Sequence, residues 1–157
     1  MNMNLIKNEI HSAVYTACLL LAAVLFFSGC GQQEKPLTLS PETGEKMEVT
    51  LEGGDDFHMD YESGVLTVYE KKKVMMRCAF ISEEQEKAQR ESLTTMPFEI
   101  YREEDSYISY GAAGPEGMVH YTMYPVGKKT WIYAATHLPP EEADKVLGRL
   151  HFKEAAS

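Results

Sequence analysis

The stretch DDFHMD, residues 55–60, places carboxylate and imidazole side chains close together, and both side-chain types bind metal ions. Successive side chains of a β-strand point to opposite faces, so His58 and Asp60 would share a face if residues 57–61 form a strand. A closed zinc site needs three or four ligands, and this spacing matches neither the zinc nor the calcium motifs. We therefore expect an acidic turn followed by a solvated strand face, and no metal site.

Cys78 is the thiol of the domain that follows the N-terminal segment, and a nearby histidine would be needed to activate it. The histidines of that domain, none of which lies in a recognisable catalytic setting, are His58, His120, His137 and His151. In KKVMMRCAFIS, residues 72–82, Arg77 indicates that its own strand face is the wetter one. Cys78 should then point into the core, where a cysteine behaves as a small hydrophobic residue.

Two later runs, GMVHYTMYPV (117–126) and KTWIYAATHL (129–138), have the alternating pattern of a β-hairpin. Gly127 suits the first position of a two-residue type II′ turn, and such a turn determines which residues pair. In this register Tyr124 would face Trp131. The side opposite these two residues is the more apolar one and is predicted to be core.

The predicted register brings aromatic and polar side chains together on one face of the hairpin. This candidate binding face consists of His120, Thr122, Tyr124, Trp131 and Tyr133. Tyrosine and tryptophan are frequent at binding surfaces because they combine a large apolar area with a polar group. We therefore predict that an envelope protein or a small ligand binds there. The alternative is that a helix or the N-terminal tether covers this face and turns it into a second core layer.

The elements that must position these residues follow from periodicity. Short alternating runs separated by turn residues predict an antiparallel, meander-like sheet of about six to eight strands. SEEQEKAQRESL, residues 82–93, begins with Ser82 and has Gln85 three positions on, the signature of a helical capping box. Residues 140–150 begin with Pro140 and continue with one apolar stripe, which predicts a C-terminal helix. The predicted fold class is α+β, with a single sheet and two helices.

The N-terminal segment has the features of an export signal. No charged residue lies between Glu9 and Glu34. The densest apolar run, residues 17–27, is shorter than the ~20 residues of a membrane-spanning helix, and the small residues Ser28 and Gly29 follow it. A charged leader, a short apolar run and small residues at its end are typical of a secretory signal peptide.

The motif FSGC, residues 27–30, resembles the lipobox of bacterial lipoproteins, although Phe27 stands where leucine is usual. The resemblance implies that residues 1–29 are a signal peptide and that cleavage leaves Cys30 as a diacylglycerol-bearing first residue. Gly31 is not the aspartate that favours retention at the inner membrane of diderm bacteria. Two alternatives stay open, an uncleaved anchor helix and simple secretion, and both also place the domain outside the cytoplasm.

The resemblance to lipoproteins divides the chain into three parts. Residues 30–46 are predicted to be the lipidated cysteine and a flexible, polar tether that contains Pro36, Pro41 and Gly44. A tether of this length has a root-mean-square reach of roughly 20–25 Å. Residues 47–157 are predicted to form one globular domain.

The charge of the chain limits the choice of partners. The formal net charge of −9 argues against binding of nucleic acid or of anionic lipid through broad electrostatic attraction. The three consecutive lysines 71–73 are predicted to form a solvated turn. The membrane is a predicted partner only through the lipid on Cys30.

The order of elements and the ending WIYAATHLPPEEADKVLGRLHF, residues 131–152, make residues 47–152 resemble small PsbP-like domains, which include bacterial lipoproteins. The resemblance implies a binding or accessory protein without catalytic residues. No serine nucleophile elbow, phosphate-binding loop or zinc-binding helix motif is present either.

These observations together predict a non-enzymatic, lipid-anchored, extracytoplasmic binding or accessory protein that uses no cofactor. One alternative is a thiol- or metal-dependent envelope hydrolase, which would place Cys78 or His58 in a cleft beside other polar groups. The other alternative is a purely structural component of the cell envelope.

Overall fold

The computed structural model describes residues 36–155. Within this range the chain forms ten β-strands and two α-helices. The strands are β1 (Leu37–Leu39), β2 (Met47–Leu51), β3 (Phe57–Glu62), β4 (Val65–Glu70), β5 (Lys73–Ser82), β6 (Glu99–Glu104), β7 (Tyr107–Gly114), β8 (Gly117–Pro125), β9 (Thr130–Thr136) and β10 (Leu150–Glu154). The helices are α1 (Glu83–Leu93) and α2 (Pro140–Leu147). A 3₁₀ turn, Gly54–Asp56, connects β2 to β3.

The strands form two antiparallel sheets. The main sheet has seven strands in the spatial order β3-β4-β5-β9-β8-β7-β6, and the small sheet has three in the order β1-β2-β10. The predicted α+β class, with an antiparallel sheet of six to eight strands and two helices, is confirmed. The prediction of a single sheet missed the small one, because its strands are short and are brought together from distant parts of the chain.

The small sheet begins inside the segment predicted to be a tether. Leu37 pairs with Val49 and Leu39 with Met47, and Leu39 is 0% exposed. Farther along, the Thr43 hydroxyl lies 2.6 Å from the hydroxyl of Thr130. The prediction of a flexible tether is therefore wrong for residues 37–46, which belong to the folded domain. The flanking prolines and the glycine suggested a loop, whereas pairing with β2 and burial of Leu39 stabilise a strand.

The remaining N-terminal predictions, a signal peptide over residues 1–29 and lipidation of Cys30, lie outside the described residues. Within residues 36–155, no helix is both long enough and apolar enough to cross a membrane.

The two faces of the main sheet carry separate cores. The small sheet and α2 cover one face, here called the α2 face. Its buried side chains are Leu39, Met47, Val49, Met59, Leu66, Val68, Met76, Cys78, Ile132, Ala134, Leu138, Ala143, Val146, Leu147 and Leu150. Helix α1 covers part of the other face, here called the α1 face, whose buried side chains are Leu93, Ile108, Tyr110, Met123 and Tyr133.

Helix α1 has the predicted capping box. The Gln85 backbone N–H donates to the Ser82 hydroxyl at 3.2 Å, and the Gln85 side-chain oxygen accepts from the Ser82 N–H at 2.8 Å. The side of the helix that faces the sheet buries Glu86, Gln89 and Leu93. Buried polar groups need hydrogen-bond partners: Gln89 donates to the Tyr110 hydroxyl of the sheet, and Glu86 accepts from Arg90 of the helix itself.

Helix α2 begins at Pro140 as predicted but ends at Leu147 rather than at residue 150. Leu150 instead begins β10, where it pairs with Leu51. The strand still buries Leu150 in the core that the helix covers, so the apolar stripe has the predicted burial in a different conformation. Residues 150–154 instead form backbone hydrogen bonds with the edge of β2, and the apolar stripe alone could not predict this pairing.

Candidate functional site

The hairpin that carries the candidate binding face has a register different from the predicted one. Tyr124 pairs with Ile132 and Met123 with Tyr133, which is one residue away from the predicted pairing. Two successive backbone N–H groups, of Val126 and the following glycine, donate to the Thr130 carbonyl at 2.9 and 3.1 Å. The connection is thus longer than the predicted two-residue turn.

A carboxylate from a distant part of the chain holds this longer connection. The backbone N–H groups of Lys128 and Lys129 donate to the carboxylate of Glu45 at 2.8 and 3.1 Å. Glu45 lies in the segment predicted to be tether, so the hairpin sequence alone contained no sign of this interaction.

The register shift divides the five predicted binding residues between two faces. A shift of one residue moves a side chain to the other side of its sheet. His120, Thr122 and Tyr124 lie on the α2 face, whereas Trp131 and Tyr133 lie on the α1 face. The prediction that all five share one face is therefore wrong, and each group has its own surroundings.

The residues on the α1 face belong to a buried tyrosine layer beneath α1. The rings of Tyr110, Tyr121 and Tyr133 stack in sequence, with centroid distances of 5.1 and 5.5 Å. The hydroxyls of Tyr110 and Tyr133 lie 2.9 Å apart, and the Gln89 side-chain amide donates to Tyr110 at 2.9 Å. Trp131 and Tyr133 thus belong to a second core layer covered by α1, which was the alternative to a binding face. Arg77 is also on this face at only 8% exposure, but Ala79 and Ile81 beside it are partly exposed, whereas Met76 and Cys78 on the α2 face are fully buried.

The residues on the α2 face lie in a partly exposed group on β6, β7 and β8. This group, here called the tyrosine surface, consists of Tyr101, Arg102, Tyr107, Met118, His120 and Tyr124. Thr122, at 5% exposure, lies between its two ends and pairs with Ser109. Four members of the surface, Tyr101, Arg102, Tyr107 and Met118, come from strands or positions that the predicted binding face did not include.

Tyr101 and His120 form one end of the tyrosine surface. Their rings are 5.4 Å apart at an interplanar angle of 32°. Gly111, which pairs with His120, provides the space, since a Cβ atom at this position would overlap the Tyr101 hydroxyl. A bulge in β6 between Ile100 and Arg102 turns Tyr101 to this side, and strand alternation in the sequence does not predict such a bulge.

The imidazole of His120 is neutral at pH 7. Burial lowers its pKa, the nearby Glu99 opposes this effect, and His137 reinforces it. Among residues 36–155, the Nδ1 atom of His120 is buried without a hydrogen-bond partner. Nδ1 of the neighbouring His137 lies 3.2 Å from the Met118 carbonyl oxygen. This end of the surface therefore combines an aromatic ring, a thioether and a neutral imidazole.

Tyr107 is the centre of the other end. Its ring stacks on Tyr124 at 6.4 Å and lies beneath the Arg102 guanidinium, whose central carbon is 4.5 Å from the ring centroid. The Tyr107 hydroxyl donates to the carboxylate of Asp144 on α2 at 2.9 Å. Burial raises the pKa of Tyr107, and the hydrogen bond to Asp144 raises it further, so the phenol stays protonated. Burial also raises the pKa of Tyr124.

Cys78 and His58, the residues considered for catalysis, lie outside the tyrosine surface. Cys78 is 0% exposed in the apolar core, as predicted, and burial raises the pKa of its thiol. His58 stacks on Tyr69 at 4.7 Å. His58 and Asp60 do share a strand face, but no group of three or more potential metal ligands occurs among residues 36–155. Neither Cys78 nor His58 supplies the polar cleft that the hydrolase alternative requires.

The chain was compared with protein-family models, curated proteins and solved structures, and none of the three comparisons finds a match.

Proposed function

We propose that the chain is a lipid-anchored, extracytoplasmic protein that binds another component of the cell envelope through the tyrosine surface. The observation that carries the binding part is the position of the exposed apolar side chains. Within residues 36–155, the large apolar side chains with the highest exposure are Ile100 at 45% and Met118 at 42%. Met118 belongs to the tyrosine surface, whereas Ile100, which pairs with Tyr110, lies near the same edge of the main sheet but on its α1 face.

The composition of the surface supports recognition of a protein. Tyrosine, methionine and arginine are enriched at protein interfaces relative to other protein surfaces. Tyrosine also loses little conformational entropy on binding, since it has only two side-chain torsions. Two charged groups, Arg102 and Asp144, flank Tyr107 and would orient a polar partner. The unpartnered Nδ1 atom of His120 adds a buried acceptor or donor at the other end.

A photo-reactive amino acid in place of Met118 tests the binding surface in living cells. We expect a light-dependent adduct with an envelope component, because Met118 is exposed within the proposed contact area. The matched control carries the same amino acid in place of Lys87, an exposed residue on the outer side of α1, and should form no such adduct. Combining the Met118 probe with Tyr101→Ala and His120→Ala should reduce the adduct by about tenfold or more.

Two results would contradict the binding proposal. One is the same adduct from both probe positions, which would indicate random collision. The other is undiminished adduct in the Tyr101→Ala, His120→Ala chain. The unfolding midpoint of that variant should match that of the wild type, which separates loss of binding from loss of folding.

The anchoring part of the proposal is supported by the apolar run and the FSGC motif at residues 27–30. Intact mass of the protein extracted from membranes tests it directly. We expect a chain that begins at Cys30 and carries a diacylglycerol, because stable anchoring needs two or more acyl chains. In a Cys30→Ala variant this species should be absent. A wild-type mass that retains Met1 without added lipid would contradict the proposal.

A further inference from the structure

The chain enters the domain at the end of the small sheet where β2 passes to β3. Because β1 is antiparallel to β2, its first residue, Leu37, pairs with Val49, whereas its last residue, Leu39, pairs with Met47 at the start of β2. A fully extended chain spans at most about 3.6 Å per residue. The seven-residue step from Cys30 to Leu37 can therefore span at most about 25 Å, less than half of the extended length of a tether reaching to residue 46.

The lysine turn, residues 71–73, lies at this same end. The Lys71 N–H donates to the Asp56 carbonyl at 2.6 Å, in the 3₁₀ turn that follows β2. Phe57, the next residue, packs under the Arg149 guanidinium, 4.4 Å from the ring centroid. Arg149 directly precedes β10, whose first residue pairs with Leu51. A continuous chain of contacts thus connects the lysine turn with the point where the N-terminal segment enters.

The lysine turn has one long ion pair and two lysines that form none within the described residues. Lys71 is 3.9 Å from the carboxylate of Asp56. Lys72 and Lys73 are exposed and have no ion-pair partner within residues 36–155. The acidic residues nearby are Glu52, Asp55, Asp56 and Glu70, of which Glu52 also contacts His151 at 3.2 Å.

The opposite end of the small sheet has a second pair of lysines in a different setting. Lys128 forms an ion pair with Glu154 at 2.9 Å, and the backbone of Lys128 and Lys129 is bound by Glu45. Glu154 pairs with Met47 at the start of β2. The two lysine-bearing turns therefore lie at opposite ends of β2, and they form a natural internal comparison.

We propose that the end with the lysine turn faces the membrane, and that Lys72 and Lys73 contact anionic phospholipid headgroups. This inference rests on the proposed lipid anchor at Cys30. The net charge of −9 prevents general attraction to an anionic surface, so the contact depends on the anchor to bring the turn close. The field of anionic lipids extends about one Debye length, roughly 8–10 Å, and each lysine within it favours contact by about fivefold.

Lysine acetylation on reconstituted, full-length protein tests the orientation. One sample uses vesicles of phosphatidylcholine, and the other uses phosphatidylcholine mixed with anionic phosphatidylglycerol. In the anionic vesicles we expect acetylation of Lys72 and Lys73 to slow by about fivefold or more, and to recover at high salt. The rates of Lys128 and Lys129 should be the same in both vesicles.

A pair of variants provides the matched control. Lys72→Gln with Lys73→Gln should abolish the protection of Lys71 in anionic vesicles, whereas Lys128→Gln with Lys129→Gln should preserve it. All four side chains are exposed, and only Lys73, the first residue of β5, lies in a strand, so neither double variant threatens the fold. Lys71 is left unchanged because its φ of 56° is a left-handed conformation, so a substitution there could alter the stability of the turn.

The outcomes separate the orientation from the anchor. Flotation with both kinds of vesicle, together with equal acetylation in both, would overturn the orientation alone and leave a solvated turn. Failure to float with neutral phosphatidylcholine vesicles would contradict the lipid anchor, and the orientation that depends on it. Equal slowing of Lys72 and Lys128 would also overturn the inference, since it would show attraction without a preferred end.

Discussion

Replacing Leu39 by alanine should lower the free energy of unfolding by about 2–5 kcal/mol, the usual effect of truncating a buried leucine. Leu39 is 0% exposed and lies in the core between the small sheet and the main sheet. The loss comes from the missing methyl groups and from the cavity they leave. Urea titration of the detergent-solubilised protein, followed by the fluorescence of Trp131, measures the change.

Thr38→Ala is the matched control for the Leu39 prediction. Thr38 is the next residue on the same strand, and its side chain is exposed, so its loss should change the free energy of unfolding by no more than about 0.5 kcal/mol. If both variants behaved alike, residues 37–39 would be a tether after all. The comparison therefore decides whether β1 belongs to the domain.

Arg90→Ala should destabilise the protein by about 3 kcal/mol, because it leaves a carboxylate buried without its cation. The Glu86 side chain is 5% exposed beneath α1, and the Arg90 Nε group donates to it at 2.7 Å. Arg90 also donates to the Glu104 carbonyl at 3.2 Å, which ties α1 to β6. The same urea titration measures the loss.

A second ion pair on the same helix is the control. Lys87 and Glu83 have the same four-residue spacing and the same 2.7 Å distance, but both side chains are mostly exposed. Exposed pairs of this kind contribute little, so Lys87→Ala should leave stability nearly unchanged. Adding Glu86→Gln to Arg90→Ala should restore part of the lost stability. Equal effects of Arg90→Ala and Lys87→Ala would show that burial does not strengthen the inner pair.

The two proposals assign separate tasks to separate parts of the main sheet. The lysine turn connects β4 and β5, near one edge, whereas the tyrosine surface lies on β6, β7 and β8 at the other edge. Neighbouring strands are about 4.8 Å apart, so several strand widths separate them. Contact of the lysine turn with headgroups would therefore leave the tyrosine surface free for a partner.

Local patterns in the sequence determined a large part of the fold. The capping box at Ser82 and Gln85, the start of the second helix at Pro140 and the inward position of Cys78 all follow from neighbouring residues, and the structure confirms each of them. Such features depend on hydrogen bonds and alternation within one segment, so their physical cause is contained in a short stretch of chain. The export signal and the lipidation of Cys30 stay predictions of the same local kind.

The tertiary structure decided the features that depend on distant residues. Strand β1 exists because β2 pairs with it, and Leu150 is in a strand because the edge of β2 accepts it. The hairpin register follows from a longer connection held by Glu45, which is more than 80 residues away in the chain. A one-residue register shift exchanges the two faces, so it also decided which predicted residues could form a surface. The sequence by itself thus determined both helices and most strands of the main sheet, together with the N-terminal motif. Only long-range pairing determined the small sheet and the tyrosine surface, because register and burial depend on contacts that no single segment contains.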